Sequence, residues 1–150
     1  MTNSFTFVKI IVLTILIFNI YTMKIDHIAI WAEDIDLLCE FYTKYFDCNY
    51  GNKYINIKRN FSSRFITFNN GDTRIEIMNI PDIKDSQNKG YLSGLAHIAI
   101  SVGSRDAVEN ITEKLRKDGY TILSEPRLSG DGYYESAFAD PEGNYVELLA

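Results

Sequence analysis

Apolar and polar residues alternate from Lys24 to Trp31, which predicts a strand over 24–31 with Ile28 and Ile30 on one face and His27, Ala29 and Trp31 on the other. The period then lengthens. Ile35, Leu38, Phe41, Tyr42, Tyr45 and Phe46 recur at helical spacing, so 35–46 reads as an amphipathic helix, with Glu33 and Asp34 placing acid where the helix dipole favours it. Strands are expected over 49–57 and 62–68, both rich in Tyr, Ile and Phe, followed by a hairpin-turn signal at Asn69-Asn70-Gly71-Asp72. A strand over 73–80 sets Ile75 and Ile77 against Arg74, Glu76 and Met78. Residues 81–94 read as a linker, polar and turn-rich through 91.

The same order of elements then returns. A strand over 95–102 carries His97, Ala99 and Ser101 on one face, and Ser104 is placed to cap a helix whose apolar stripe is Ala107, Val108, Ile111 and Leu115. Gly119 stands at a typical C′ position. Strands over 120–125 and 133–139 lie on either side of Pro126 and the Gly130-Asp131-Gly132 loop. Asp140-Pro141-Glu142-Gly143 forms a turn, and a final strand over 144–149 sets Tyr145, Glu147 and Leu149 against Val146 and Leu148. The predicted fold class is therefore α+β: two tandem βαβββ modules, 23–80 and 95–150, forming one domain whose curved mixed sheet surrounds a cleft. Ile28, Ile30, Ile75, Ile77, Ile98, Ile100, Val146 and Leu148 are expected to pack on the helices, leaving the opposite faces for the cleft.

The repeat also carries candidate chemistry. His-Ile-Ala-Ile occurs at 27–30 and again at 97–100, and these are the only two histidines in the chain. Glu76 follows His27 by 49 residues and Glu147 follows His97 by 50, each in an apolar run and each in phase with its histidine's face. Four half-buried ionisable groups would be costly without a cation to satisfy them. The two imidazoles and two carboxylates predict one metal site shared between the halves, suited to Ni²⁺, Co²⁺ or Zn²⁺, with Fe²⁺ and Mn²⁺ as alternatives. With four protein ligands, a metal that takes six keeps positions open for water or substrate oxygens.

Charge and composition narrow the partners. Fifteen Lys and Arg against 20 Asp and Glu leave a net charge of −5, with no basic run to track a phosphate backbone, so nucleic acid is excluded as an expected partner and a small-molecule substrate is favoured. Cys39 and Cys48 form no Cys-x-x-Cys pair, and Cys39 shares a helix face with Ile35, Leu38 and Tyr42, which marks it for packing. Residues 1–22 hold a single charge, Lys9, before an apolar run at 10–18 that is short for a membrane span. They read either as a signal- or anchor-like segment or as an upstream extension with Met23 as the working start. The expected location is cytoplasmic, with a membrane-anchored or exported protein as the alternative, and membrane contact only through 1–22.

The repeated module, His-Ile-Ala-Ile near each start, Phe41-Tyr42 in the first helix and Asp140-Pro141-Glu142-Gly143-Asn144 before the last glutamate together resemble the vicinal oxygen chelate superfamily, and within it most nearly the glyoxalase I branch. The likeness covers 23–150. It implies metal ligation by His27, Glu76, His97 and Glu147, and proton abstraction next to a carbonyl with Glu147 as base and Glu76 as its counterpart. It also implies a homodimer, in which modules pair within one chain or between two. Methylmalonyl-CoA epimerases of this superfamily usually carry glutamine at the place of Glu76, so the second glutamate favours the glyoxalase-like group. A metal-dependent epimerase or thiol transferase is the enzymatic alternative, and a non-catalytic binder of a small molecule such as an antibiotic is the alternative from another class. Glutathione-using members commonly place an arginine four residues after the first ligand, and here that position is Trp31. Trp31 is therefore expected as an aromatic cleft wall, and Arg74, on the face of Glu76, as a contact for an anionic substrate or as that glutamate's ion-pair partner.

Overall fold

The computed structural model describes residues 23–69, 71–84 and 89–150. In chain order the elements are β1 (His27–Trp31), α1 (Ile35–Tyr45), β2 (Cys48–Tyr50), β3 (Tyr54–Asn56), β4 (Phe61–Phe68), β5 (Arg74–Asn79), β6 (Ile98–Ser101), α2 (Arg105–Lys117), β7 (Ile122–Leu128), β8 (Tyr134–Ala139) and β9 (Tyr145–Leu149). Strand, helix and antiparallel strands recur in each half, and each half closes on a parallel pair, β1 with β5 and β6 with β9. The expected α+β pair of modules is present. Its strands form two separate sheets, ordered β1-β5-β4-β2 with β3 also on β4, and β6-β9-β8-β7.

Several local boundaries differ from the sequence expectation. The strand expected over 49–57 divides at Gly51-Asn52-Lys53 into β2 and β3, and both pair with the eight-residue β4. Pro126 lies inside β7 rather than beyond it. Because β7 is an edge strand, the missing N–H costs no ladder bond where the register against β8 shifts between Ser124 and Arg127. β6 begins at Ile98, so His97 stands just before its strand.

Helix ends follow local chemistry. Asp34, read from sequence as a charge near the helix start, is the N-cap of α1 and accepts from the N–H groups of Asp36 and Leu37 at 3.0 Å. Ser104 caps α2 through Ala107 N–H at 3.2 Å, and Gly119, at φ +90°, takes the left-handed C′ position. The alternation in the strands sends Ile30, Ile75, Ile77, Ile98, Ile100, Val146 and Leu148 into one continuous core, with Ile28 packed at its edge.

That core belongs to both modules because α1 touches both. Cys39 and Leu38 are fully buried on it, while Phe41 meets Tyr120 at 4.9 Å and Phe138 at 5.8 Å between ring centroids. Tyr42 donates its hydroxyl to buried Asp140 at 3.1 Å, and Lys44 and Tyr45 both reach Asp118. Burial pushes up both the Tyr42 phenol and the Asp140 carboxyl, and Asp140 is held further by the N–H groups of Glu142 and Asn144. No helix among the described residues is long and apolar enough to cross a membrane, and the segment 1–22 lies outside the described residues.

Candidate metal centre

The strand phase places the histidine and glutamate of each half together. β1 and β5 run parallel with Ala29 opposite Glu76, and β6 and β9 with Ala99 opposite Glu147. Each glutamate therefore emerges on the face away from the helices, beside the imidazole that precedes it on the neighbouring strand. His27 Nε2 lies 3.7 Å from Glu76 Oε2, and His97 Nε2 lies 3.3 Å from Glu147 Oε2. Both carboxylates are largely covered, at 17 % and 20 % side-chain exposure, whereas the imidazoles are open at 38 % and 44 %.

These separations are those of an ion pair, and they can be set beside the spacing of two ligands on one cation. A direct hydrogen bond brings N and O to about 2.7–3.2 Å. Two ligands of one cation at about 2.1 Å are held about 3.0 Å apart when octahedral and about 3.4 Å apart when tetrahedral. The observed gaps lie beyond the hydrogen bond and within a few tenths of an ångström of ligand spacing. The residues present thus fit a divalent cation, two donors at a time.

The four donors do not converge in one chain. Among the described residues, which include all four, no group of three or more His, Cys, Asp or Glu side chains is close enough to hold a metal. The chain presents the four donors as two separate half-sites, His27 with Glu76 and His97 with Glu147. The rings of α1 engage Tyr120 and Phe138 of the second module, so the two modules share a core on their helix-bearing side, while the two imidazoles stay open at 38 % and 44 %.

The first half-site carries more structure than the sequence suggested. Asp26 Oδ1 accepts from His27 Nδ1 at 2.9 Å and from the Arg74 guanidinium, and these two donors hold the Asp26 carboxyl below its ordinary range. Arg74 was expected to face Glu76 or a substrate anion, and it pairs with Asp26 instead, because the register sets it directly across from His27. Asp26 was not singled out from sequence, since within the predicted strand 24–31 it takes the phase of Ile28 and Ile30 rather than that of His27; its adjacency to a predicted ligand was the available signal. At the second half-site the Tyr145 ring lies 6.0 Å from His97, and burial and the Glu147 charge raise the Tyr145 phenol.

Trp31 is not a core residue. It is 46 % exposed on the His27 face and walls two cavities. One, of about 500 Å³, is also lined by Lys84, Tyr145 and His97. The other, of about 530 Å³, is built from Tyr54, Arg59, Phe61 and Met78 beside the first half-site. Neither takes in Glu76 or Glu147.

The fold is shared with solved structures. The trypanothione-dependent glyoxalase I of Leishmania major superposes with a TM-score of 0.69 at 22 % identity, over 85 % of this chain and 86 % of that one. A glyoxalase I mutant from Zea mays gives 0.68 at 21 % identity, over 84 % of this chain and 44 % of the maize chain. A glyoxylase/bleomycin resistance protein/dioxygenase domain from Frankia gives 0.71 at 18 % identity, over 86 % and 92 %. A curated relative, the uncharacterized protein YqjT of Bacillus subtilis, is 40 % identical over 60 residues, which is 38 % of this chain and 47 % of that protein, so the match spans about half the relative's length. Residues 24–148, nearly the whole of both modules, match the family model of the Glyoxalase/Bleomycin resistance protein/Dioxygenase superfamily, and the chain belongs to that superfamily.

Proposed function

We propose that the protein is a metal-dependent lyase or isomerase of glyoxalase I type, working as a homodimer in which His27 and Glu76 of one copy meet His97 and Glu147 of a second. The observation that carries this reading is the donor spacing in each half-site, 3.7 Å and 3.3 Å, on faces left open by the packing of the modules. Two donors alone hold a catalytic cation weakly, and an isologous dimer brings each first half-site to a second one twice over. The glyoxalase I structures of Leishmania and maize share this fold and lend the reaction type.

When bound, a divalent cation such as Ni²⁺, Co²⁺ or Zn²⁺ supplies positive charge where negative charge develops on vicinal substrate oxygens as the adjacent carbon loses its proton. The chain's own groups do the rest. Glu147 takes the proton from one carbon and returns it to the next, a task suited to a carboxylate that is mostly covered yet open to one side. Glu76 stands as its counterpart in the other half. Trp31 offers an aromatic wall along the path from His27, and the Arg74 cation is already engaged by Asp26, so the site favours a thiol adduct with an apolar body over one recognised by its carboxylate at that position.

A hemithioacetal isomerase assay on protein loaded with Ni²⁺, Co²⁺ or Zn²⁺, run with several thiols, tests the reaction. Activity is expected to fall about 10²- to 10⁴-fold in Glu147→Gln. The shared site is tested by mixing two inactive chains, one carrying Glu76→Gln and the other Glu147→Gln. Heterodimers of these regain one intact site of two, so random exchange restores about a quarter of the activity. No recovery after verified exchange overturns the two-chain site.

A further inference from the structure

We propose that the two half-sites divide their labour, with Asp26, Arg74 and Phe65 forming a brace that fixes the His27 imidazole so that the first module anchors the cation and the second stays adjustable. The inference rests on the metal-centre reading above and assigns positions to residues that the ligand set does not include.

The brace is a closed ring of contacts. Asp26 Oδ1 sits 2.9 Å from His27 Nδ1, and an ionised carboxylate can only accept, so Nδ1 is the nitrogen that donates there and Nε2 is the nitrogen turned toward Glu76. Arg74 bonds the same Oδ1 and lays its guanidinium 4.4 Å over the Phe65 ring. Phe65 in turn meets the His27 ring edge-on at 5.2 Å. Rotation of the imidazole must break the bond to Asp26 and lift the ring from Phe65. A ligand held in its binding tautomer and orientation before the cation arrives loses less freedom on binding.

The second module lacks every member of this ring at the matching position. Ala96 precedes His97 where Asp26 precedes His27, and Tyr145 stands two residues before Glu147 where Arg74 stands two before Glu76. Phe65 pairs across the sheet with Glu76, and the residue paired with Glu147 is Ala137. Among the described residues no carboxylate other than Glu147 bonds or pairs with His97, and the Tyr145 ring lies 6.0 Å from it. Duplication has thus kept both donor pairs and the brace around one alone. Glu147, the residue asked to move a proton, lies in the unbraced half.

Nitrogen-detected NMR of the metal-free protein reads the imidazole tautomers directly, with His97 as the internal control. The expected result is a single Nδ1–H tautomer for His27, an averaged mixture for His97, and conversion of His27 to a mixture in Asp26→Ala. Co²⁺ titration is expected to show a 10- to 100-fold loss of affinity in Asp26→Ala. Arg74→Met, which leaves the Asp26–His27 bond in place, is expected to cost less, and Ala96→Asp to shift His97 toward the Nδ1–H tautomer. Two like histidines in the wild-type spectrum, or an Asp26→Ala protein with unchanged tautomers and affinity, overturn the brace. A single His27 tautomer in a wild-type protein that binds no Co²⁺, Ni²⁺ or Zn²⁺ upholds the orientation of His27 and overturns the metal centre.

Discussion

The two helices occupy the same place in their modules and are built to different standards. α1 buries Ile35, Leu38, Cys39, Phe41, Tyr42 and Tyr45, and its rings cross to the other module. α2 buries Val108, Thr112 and Leu115 and covers its own sheet, while Arg116, Glu113 and Lys117 pair with charges on its outer side. A helix covered on two sides needs apolar side chains over most of its circumference, and one covered on a single side needs a stripe. The sequences Ile-Asp-Leu-Leu-Cys-Glu-Phe-Tyr and Arg-Asp-Ala-Val-Glu-Asn-Ile-Thr record that difference. One module of the pair carries the joint, and the other is attached to it.

The comparison is broken or sharpened most strongly in the two buried stripes. Phe41→Ala removes a ring that touches both modules and is expected to cost about 4 kcal/mol, with both sheets losing protection together in hydrogen exchange. Leu115→Ala, fully buried under α2, is expected to cost about 3 kcal/mol, with the earliest exchange confined to β7, β8 and β9. Equal effects of both on both sheets would show that α1 is no special joint. The caps come next. Asp34→Ala leaves two N–H groups without their acceptor and Ser104→Ala one, so thermal denaturation is expected to show losses of about 1.5 and about 0.7 kcal/mol in that order.

The smallest effect is chemical. Both cysteines lie in the first module, and burial raises the Cys39 and Cys48 thiols from 9.0 to about 11. Alkylation of the native protein at pH 8 is therefore expected to be slow and to quicken as pH climbs toward 11, reporting on opening of the first module alone. Because the folded thiols hold their protons more tightly than unfolded ones, their contribution to stability is complete below about pH 9 and is lost as pH rises through about 11. Fast labelling at pH 8 would show that the α1 joint opens locally.

Much of this was legible in the sequence, and what was hidden has identifiable causes. Alternation assigned the core faces of β1, β5, β6 and β9, and the repeat alone paired His27 with Glu76 and His97 with Glu147. Periodicity says which face a side chain takes and is silent on how two modules face each other, so the separation of the half-sites waited on the contacts of Phe41 with Tyr120 and Phe138. Tyr50 and Tyr54 made 49–57 look continuous, though the chain turns at Gly51 to serve β4 twice. Pro126 reads as a strand breaker unless the edge position of β7 is known. Alternation put Asp26 in the phase opposite to His27, and its value comes from the across-strand placement of Arg74.

The parallel pairing of β1 with β5 has a kinetic consequence. The hairpin of β4 and β5 joins residues as close as Thr67 and Arg74, whereas β1 meets β5 at pairs such as His27 and Arg74, 47 positions apart. In the second module Ile98 meets Val146 at a separation of 48. These are the longest loops each module must close, and loop closure of that span is what slows a mixed fold. Each histidine meets its glutamate only across that seam, so a module that has not closed it keeps the two apart.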